Sequence, residues 1–251
     1  LIYRGMGYSN WRLGEYKKSL KLYNKAVVSS NDANDRDLVG VINIDMGLLS
    51  ETQGDYRAAL GHFRDAIALL ERTGDAYNIA RAYNNMGEIY KHLDDMPNAI
   101  SNYEMCHEVA EREKNERMVG YALGNSAECY AKMGEVEKAK EYAERTLDIF
   151  TKMNDEYMIS GVHLTYGIIY AKEAEKEKMA KSFETAIGML RGLNYPYEVG
   201  TNTFEYAKAL KELGHANEAE DKFHEALEIF MRLNSEKFIE LVHAELDGLA
   251  K

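Results

Sequence analysis

The stretch AYNNMGEIYKHL, residues 82–93, places Gly87 where an amphipathic helix would carry a large residue, with Asn84 and Asn85 just before it. Glycine inside a helix costs about 1 kcal/mol relative to alanine, so it persists where a neighbour packs too closely to admit a side chain. Steps of 40 residues from Gly87 reach Gly7, Gly47, Ala127, Gly167 and Ala207, all of them Gly or Ala. Twelve residues after each stand Ser19, Ala59, Ala99, Ala139, Met179 and Ala219. Four further on come Tyr23, Phe63, Tyr103, Ala143, Phe183 and Phe223, and three beyond those Ala26, Ala66, Cys106, Thr146, Ala186 and Ala226. The last three columns keep helical spacing among themselves and a turn separates them from the first, so each repeat predicts two helices, A and B.

The turns agree independently. Gly14, Gly54, Gly134 and Gly214, with Asp94 and Ala174 in the same column, mark the A–B junctions. Asn34, Gly74, Lys114, Asn154, Asn194 and Asn234 mark the junctions between repeats, followed by Asp35, Asp75, Asn115, Asp155, Tyr195 and Ser235. The glycine-rich and asparagine-rich columns suit a left-handed helix stop, and the last column mostly suits an N-cap. Pro97 and Pro196 fall near predicted helix starts, where a missing N–H costs nothing.

Composition narrows the function. The 251 residues are 45 % apolar and carry 31 basic against 42 acidic side chains, a net charge of -11. That balance disfavours nucleic acid, whose phosphates need clustered Lys and Arg. Cys106 and Cys129 form no CxxC pair, so neither a disulfide framework nor a zinc cage is expected, and a cytoplasmic setting follows. No apolar run approaches the roughly 18 residues of a membrane span. The chain starts at Leu1 in mid-pattern, which suggests a piece of a longer protein.

With these columns the sequence resembles the tetratricopeptide repeat (TPR) in its longer form of about 40 residues, over nearly the whole chain. It is similar to the repeats of kinesin light chains, spindle-orientation adaptors, peptide-sensing Rap regulators and the MalT-like sensor domains of large transcriptional regulators. The resemblance implies an all-α, right-handed α-solenoid of six helix pairs plus a capping helix. As one domain over residues 1–251, its repeats run 1–34, 35–74, 75–114, 115–154, 155–194 and 195–234, with the cap at 235–251. Met179, Ala174, Ala143 and Thr146 depart from the pattern, which bears on local helix angles only.

In such a stack helices A line the concave face, the usual binding surface. If Gly87 points at helix B, helical geometry turns Arg81, Asn84, Asn85, Glu88, Lys91 and His92 toward the groove. In the next repeat it turns Tyr121, Gly124, Asn125, Glu128, Ala131 and Lys132 the same way. One column runs Asp45, Asn85, Asn125, Thr165, Glu205. An asparagine can pair with both the C=O and the N–H of a peptide backbone, and the resemblance to the longer-repeat adaptors implies that role for Asn85 and Asn125. Leu164, Thr165 and Ile168 complete the candidate groove. Its positions carry eight cations against six anions, +2, where the rest of the chain sums to -13. An acidic or carboxylate-bearing peptide is therefore the better-matched partner.

Catalytic signatures are weak. HEVAE from His107 and HEALE from His224 put glutamate where a zinc-protease helix needs its second histidine. There is no phosphate-binding GxxxxGK loop and no GxSxG elbow. The expectation is a non-catalytic interaction scaffold without cofactor or metal, binding a protein or peptide and neither nucleic acid nor membrane. The alternative is a ligand- or peptide-sensing regulatory domain of a larger protein. At the C-terminal end, Phe238, Val242, Leu246 and Leu249 form one stripe of a capping helix, with Asp247 in the small column. At the other end Leu1, Tyr3 and Met6 have no cap, which predicts weak self-association through the N-terminal repeat, relieved by the native upstream sequence.

Overall fold

The computed structural model describes residues 1–249, which form thirteen helices and no strand. In chain order these are α1 (Ile2–Arg12), α2 (Tyr16–Asp32), α3 (Arg36–Thr52), α4 (Tyr56–Leu70), α5 (Ala76–His92), α6 (Met96–Arg112) and α7 (Glu116–Met133). There follow α8 (Val136–Lys152), α9 (Glu156–Lys172), α10 (Lys176–Gly192), α11 (Pro196–Glu212), α12 (Ala216–Arg232) and α13 (Glu236–Leu249). The fold is the all-α solenoid class: six helix pairs and a final helix, with the helix starts and stops where the columns put them.

All twelve junction positions named from the sequence have left-handed φ, from Asn34 at 57° and Gly54 at 76° to Ala174 at 58° and Asn234 at 52°. Glycine takes this conformation freely and asparagine tolerates it, whereas Lys114 and Ala174 hold it against their Cβ. Asp35, Asp75, Asn115 and Asp155 cap the following helices by accepting from the N–H groups of Leu38, Asn78, Met118 and Met158. Tyr195 makes no such bond, and there Pro196 opens the helix instead.

The small and aromatic columns meet face to face. A Cβ built at Gly7 would run into the ring of Tyr23, at Gly47 into Phe63, at Gly87 into Tyr103 and at Gly167 into Phe183. All four rings are fully buried. In the fourth repeat Ala127 packs instead with Ala143, so the extra methyl on one side is matched by a missing ring on the other. Each helix B also covers the next helix A: Tyr23 and Ala26 pack with Ile42, Met46 and Leu49, and Phe63, Ala66 and Leu70 with Ala82, Met86 and Ile89. Val242 of α13 is buried on α12, with Phe238 stacked on Phe230 at 4.6 Å; Ala250 lies outside the described residues.

Backbone proximity divides the chain into two compact units, Leu1–Asn125 and Ser126–Lys251, with the division inside α7. In the second unit charged pairs link neighbouring repeats: Lys172 to Glu212 at 3.0 Å, Lys176 to Glu218 at 2.6 Å, Arg191 to Glu225 at 2.6 Å and Lys211 to Glu245 at 2.8 Å.

Candidate functional site

In the first unit the polar residues of successive A helices meet at a regular offset. The Arg4 guanidinium grips Asp45 with two bonds, Nε to Oδ2 at 2.5 Å and Nη2 to Oδ1 at 3.3 Å, and that hydrogen bonding raises the arginine's pKa. Trp11 Nε1 donates to Thr52 Oγ1 at 3.2 Å, and Asn125 Nδ2 to Asn84 Oδ1 at 3.0 Å. His92 Nε2 stands 3.8 Å from Glu51 Oε1, with the Tyr56 ring stacked on the imidazole. All four links join residues 41 apart, one repeat plus one position. Much of the candidate groove's polarity thus ties one repeat to the next.

The expected binding residues fall into two groups. Arg81, Asn84, Asn85, Glu88, Lys91, Tyr121 and Asn125 are half-buried and His92 is exposed, all on A helices of the first unit. Arg81 donates to Asn78 Oδ1 at 2.7 Å and lies over the Tyr77 ring. Glu88 is held from two sides, by Lys91 Nζ at 3.1 Å and by the Tyr103 hydroxyl, which donates to it at 2.6 Å. Asn85 makes no side-chain hydrogen bond among the described residues, while Asn125 is already turned to Asn84.

In the second unit, Glu128 pairs with Lys132 at 2.6 Å. Thr165 and Ile168 are buried, and the Thr165 hydroxyl donates to the Gly161 carbonyl, so neither offers a surface to a ligand. The groove-side columns there carry further buried apolar residues, Ala171 and Phe204. Leu164 stays half-buried. The column Asp45, Asn85, Asn125, Thr165, Glu205 is therefore not one row of equivalent clamps, for Asp45 belongs to Arg4, Thr165 to its own helix and Glu205 to Lys208 at 3.2 Å.

The sequence did not reveal Glu51 as a chemically distinct group. Burial, with the Glu88 charge adding to it, pushes its carboxyl up to about 7. Its placement opposite the following repeat follows from the 41-residue offset, which the periodicity implied.

Burial pushes the Cys106 thiol up to about 12, which removes the thiolate a nucleophile needs. In the two HExxH-like motifs Glu111 lies 3.0 Å from His107, whereas Glu228 pairs with Arg232 at 3.3 Å and His224 faces Glu220 at 3.9 Å. Among the described residues no group of His, Cys, Asp and Glu could hold a metal ion, and no helix is long and apolar enough to cross a membrane.

A stack of helix pairs with glycine–aromatic joints and a polar inner row defines a class, the helical repeat proteins. A tetratricopeptide repeat model matches residues 1–72 and 78–152, more than half of the chain, which belongs to the tetratricopeptide repeat family. No curated protein matches it by sequence. Among solved structures the apo form of RapI superposes with a TM-score of 0.74 at 12 % identity, over 99 % of this chain and 96 % of that one. A Rap protein complexed with competence and sporulation factor gives 0.68 at 13 %, over 99 % and 74 %. BtubC (BKLC) from P. vanneervenii gives 0.67 at 18 %, over 87 % and 92 %. At such identities the likeness is one of fold.

Proposed function

We propose that this chain is a non-catalytic scaffold that takes an extended peptide or partner segment along the A-helix row of its first unit. The observation that carries the reading is Asn85, half-buried in that row with its amide unengaged, next to the Asn84–Asn125 pair. A backbone group of an extended segment can meet the Asn85 amide directly, while the pair keeps an acceptor on Asn125 and donors on Asn84 for a second contact. Repeat spacing of about 9 to 10 Å against about 3.3 Å per extended residue lets successive helices meet every third ligand residue. The acidic preference rests on Arg12 and Arg81, because most other groove cations already face a groove carboxylate. A cytoplasmic setting with neither membrane nor nucleic-acid partner fits the composition.

The test is selection of peptides from a displayed library, followed by calorimetry of the best binder against Asn85→Ala and Asn125→Ala. Each change is expected to cost about 1 to 3 kcal/mol of binding with the fold intact, because a desolvated backbone group loses its partner. Unchanged affinity in both, with the peptide still mapped to these helices, sinks the clamp. A second reading, a sensing domain of a larger regulator, draws support from the Rap protein solved with a bound factor. Weak self-association through the first repeat draws on the open flank of α1, where Ile2 and Met6 lie exposed.

A further inference from the structure

Charge along the A helices is answered pair by pair, with one exception. Five of the six groove carboxylates meet a lysine or an arginine: Asp45 meets Arg4, Glu88 meets Lys91, Glu128 meets Lys132, Glu205 meets Lys208 and Glu212 meets Lys172, none farther than 3.2 Å. The sixth, Glu51, meets neither among the described residues. Its ionic neighbour is His92, whose Nε2 stands 3.8 Å away and is charged only when protonated. Exposure does not explain the difference, for the Glu51 side chain keeps 23 % of its surface and the paired Glu88 keeps 27 %.

Glu51 has a repeat on either side of it. Toward repeat three it faces His92, on which the Tyr56 ring of α4 stacks, and it feels the Glu88 charge. Lys91 on the same helix is turned to Glu88. Toward repeat one the Trp11 indole donates to Thr52, the residue after Glu51, and Arg12 forms no ion pair among the described residues. The cost of holding a carboxylate at this depth is therefore not recovered in the free chain, and burial, with Glu88 adding to it, pushes the group up to about 7.

From five answered carboxylates and one left open, on the helix row that holds Asn85, we infer that Glu51 is a specificity-determining residue that receives a lysine or arginine side chain of the bound segment. This rests on the segment reading given above and adds a charge pattern to it. The cation donates to the carboxylate and supplies the partner that the fold leaves out, so Glu51 binds in its ionised form and gives up the proton it holds below about 7. His92 lies about two turns beyond Asn85 on α5, about 10 Å, which is roughly three to four residues of an extended segment. Arg81, one turn to the other side of Asn85, meets no carboxylate among the described residues and remains for an acidic side chain. The matching segment therefore carries a basic residue on one side of the Asn85 contact and an acidic one on the other, rather than acid throughout.

Decapeptides selected from a random displayed library on the 251-residue protein test it. Selection is expected to fix Lys or Arg at one position, and replacing that residue by glutamine to weaken binding by about tenfold or more. Glu51→Gln, which keeps the size of the side chain, should weaken the unmodified peptide by a similar factor and bind the two peptides within about twofold of each other, as a direct pair requires. Calorimetry near pH 7 in buffers of different ionisation enthalpy should show proton release on binding to the parent and none with Glu51→Gln. Selected peptides without a fixed basic residue, or an affinity that Glu51→Gln leaves within about twofold, overturn the inference, and so does an equal response of parent and variant to the peptide substitution. If Asn85→Ala weakens the same peptides meanwhile, the segment reading survives alone. A loss at Glu51 with none at Asn85 removes the clamp and keeps the basic contact, and a library without binders overturns both.

Discussion

Repeat one and repeat three use the same joint and differ in what surrounds it. Gly7 faces Tyr23 as Gly87 faces Tyr103, and both rings are fully buried. The Tyr103 hydroxyl donates to Glu88, which Lys91 also holds. Tyr8 fills the Glu88 column in repeat one, and the Tyr23 hydroxyl is buried without a hydrogen-bond partner, while Ser19, one turn before it, donates to the Gly7 carbonyl. Burial accordingly pushes the Tyr23 phenol up to about 12. Repeat three is also roofed by α4, whose Phe63, Ala66 and Leu70 pack on Ala82, Met86 and Ile89. Helix pairing is thus set by the small and aromatic columns, whereas the quality of each joint depends on a groove residue one position further on.

The harshest way to break the comparison is to fill both glycines. Gly87→Val forces a branched side chain into the Tyr103 ring between helices packed on both sides, and should cost about 3 kcal/mol or more. Gly7→Val meets Tyr23 in the same way, yet the Tyr23 hydroxyl holds no hydrogen bond that a shifted ring would break, so about half that loss is expected. Urea unfolding of both variants decides it, and equal losses would show that the Tyr103 bond to Glu88 adds nothing to the cost of moving the ring.

A finer probe removes the two hydroxyls. Tyr103→Phe deletes a bond to a charged acceptor and leaves Glu88 with less compensation, for about 2 kcal/mol. Tyr23→Phe deletes a buried hydroxyl with no partner and should fall within about 0.5 kcal/mol of the parent, on the stabilising side if it moves. Thermal unfolding of the pair measures the difference, and a matching loss in Tyr23→Phe would mean that its hydroxyl finds a partner in solution.

How much of this was legible depended on period. The 40-residue columns located every left-handed junction, including Lys114 and Ala174, where neither residue suggests that conformation by itself. Periodicity also gave the face of each groove residue. It did not give the pairing of Asn84 with Asn125, or the burial of Thr165 and Ile168, because those depend on contacts one repeat and one position away, where side-chain size decides the outcome.

The repeats also differ in how they stop. Repeat one ends on Asn34 at φ 57°, and repeat three on Lys114 at φ 54°. Asparagine visits this region at little cost, while a long side chain with an ordinary Cβ pays about 1 to 2 kcal/mol. Lys114→Gly should therefore raise stability by about 1 kcal/mol and Asn34→Gly by less than about 0.5 kcal/mol, since part of each gain is returned as unfolded-state entropy. Unfolding midpoints for the two variants check this, and a loss at Lys114 would mean that its side chain contributes contacts worth more than the strain.

The smallest expected effect concerns the junctions themselves. Repeat one is tied to repeat two by Arg4–Asp45 and by the Trp11–Thr52 bond, while repeat two meets repeat three through Glu51 and His92. The Glu51 carboxyl is raised to about 7 from 4.5, first by burial and then by Glu88. A carboxyl with a raised folded pKa holds its proton after the unfolded chain has released its own, so the contribution is full below about 4.5 and falls as pH rises toward 7. Above 7 the ionised group sits half-buried beside Glu88, and the penalty is complete. Glu51→Gln removes the titration, so the variant should lose this slope between about 4.5 and 7. At pH 8 it should be more stable than the parent by about 0.5 kcal/mol, a figure discounted for the solvent that still reaches the group. Arg4→Met, which breaks the first junction, should lower stability yet leave the slope in place. Urea midpoints from pH 4 to 8 measure both variants, and an unchanged slope in Glu51→Gln would move the pH-sensitive tie away from the second junction.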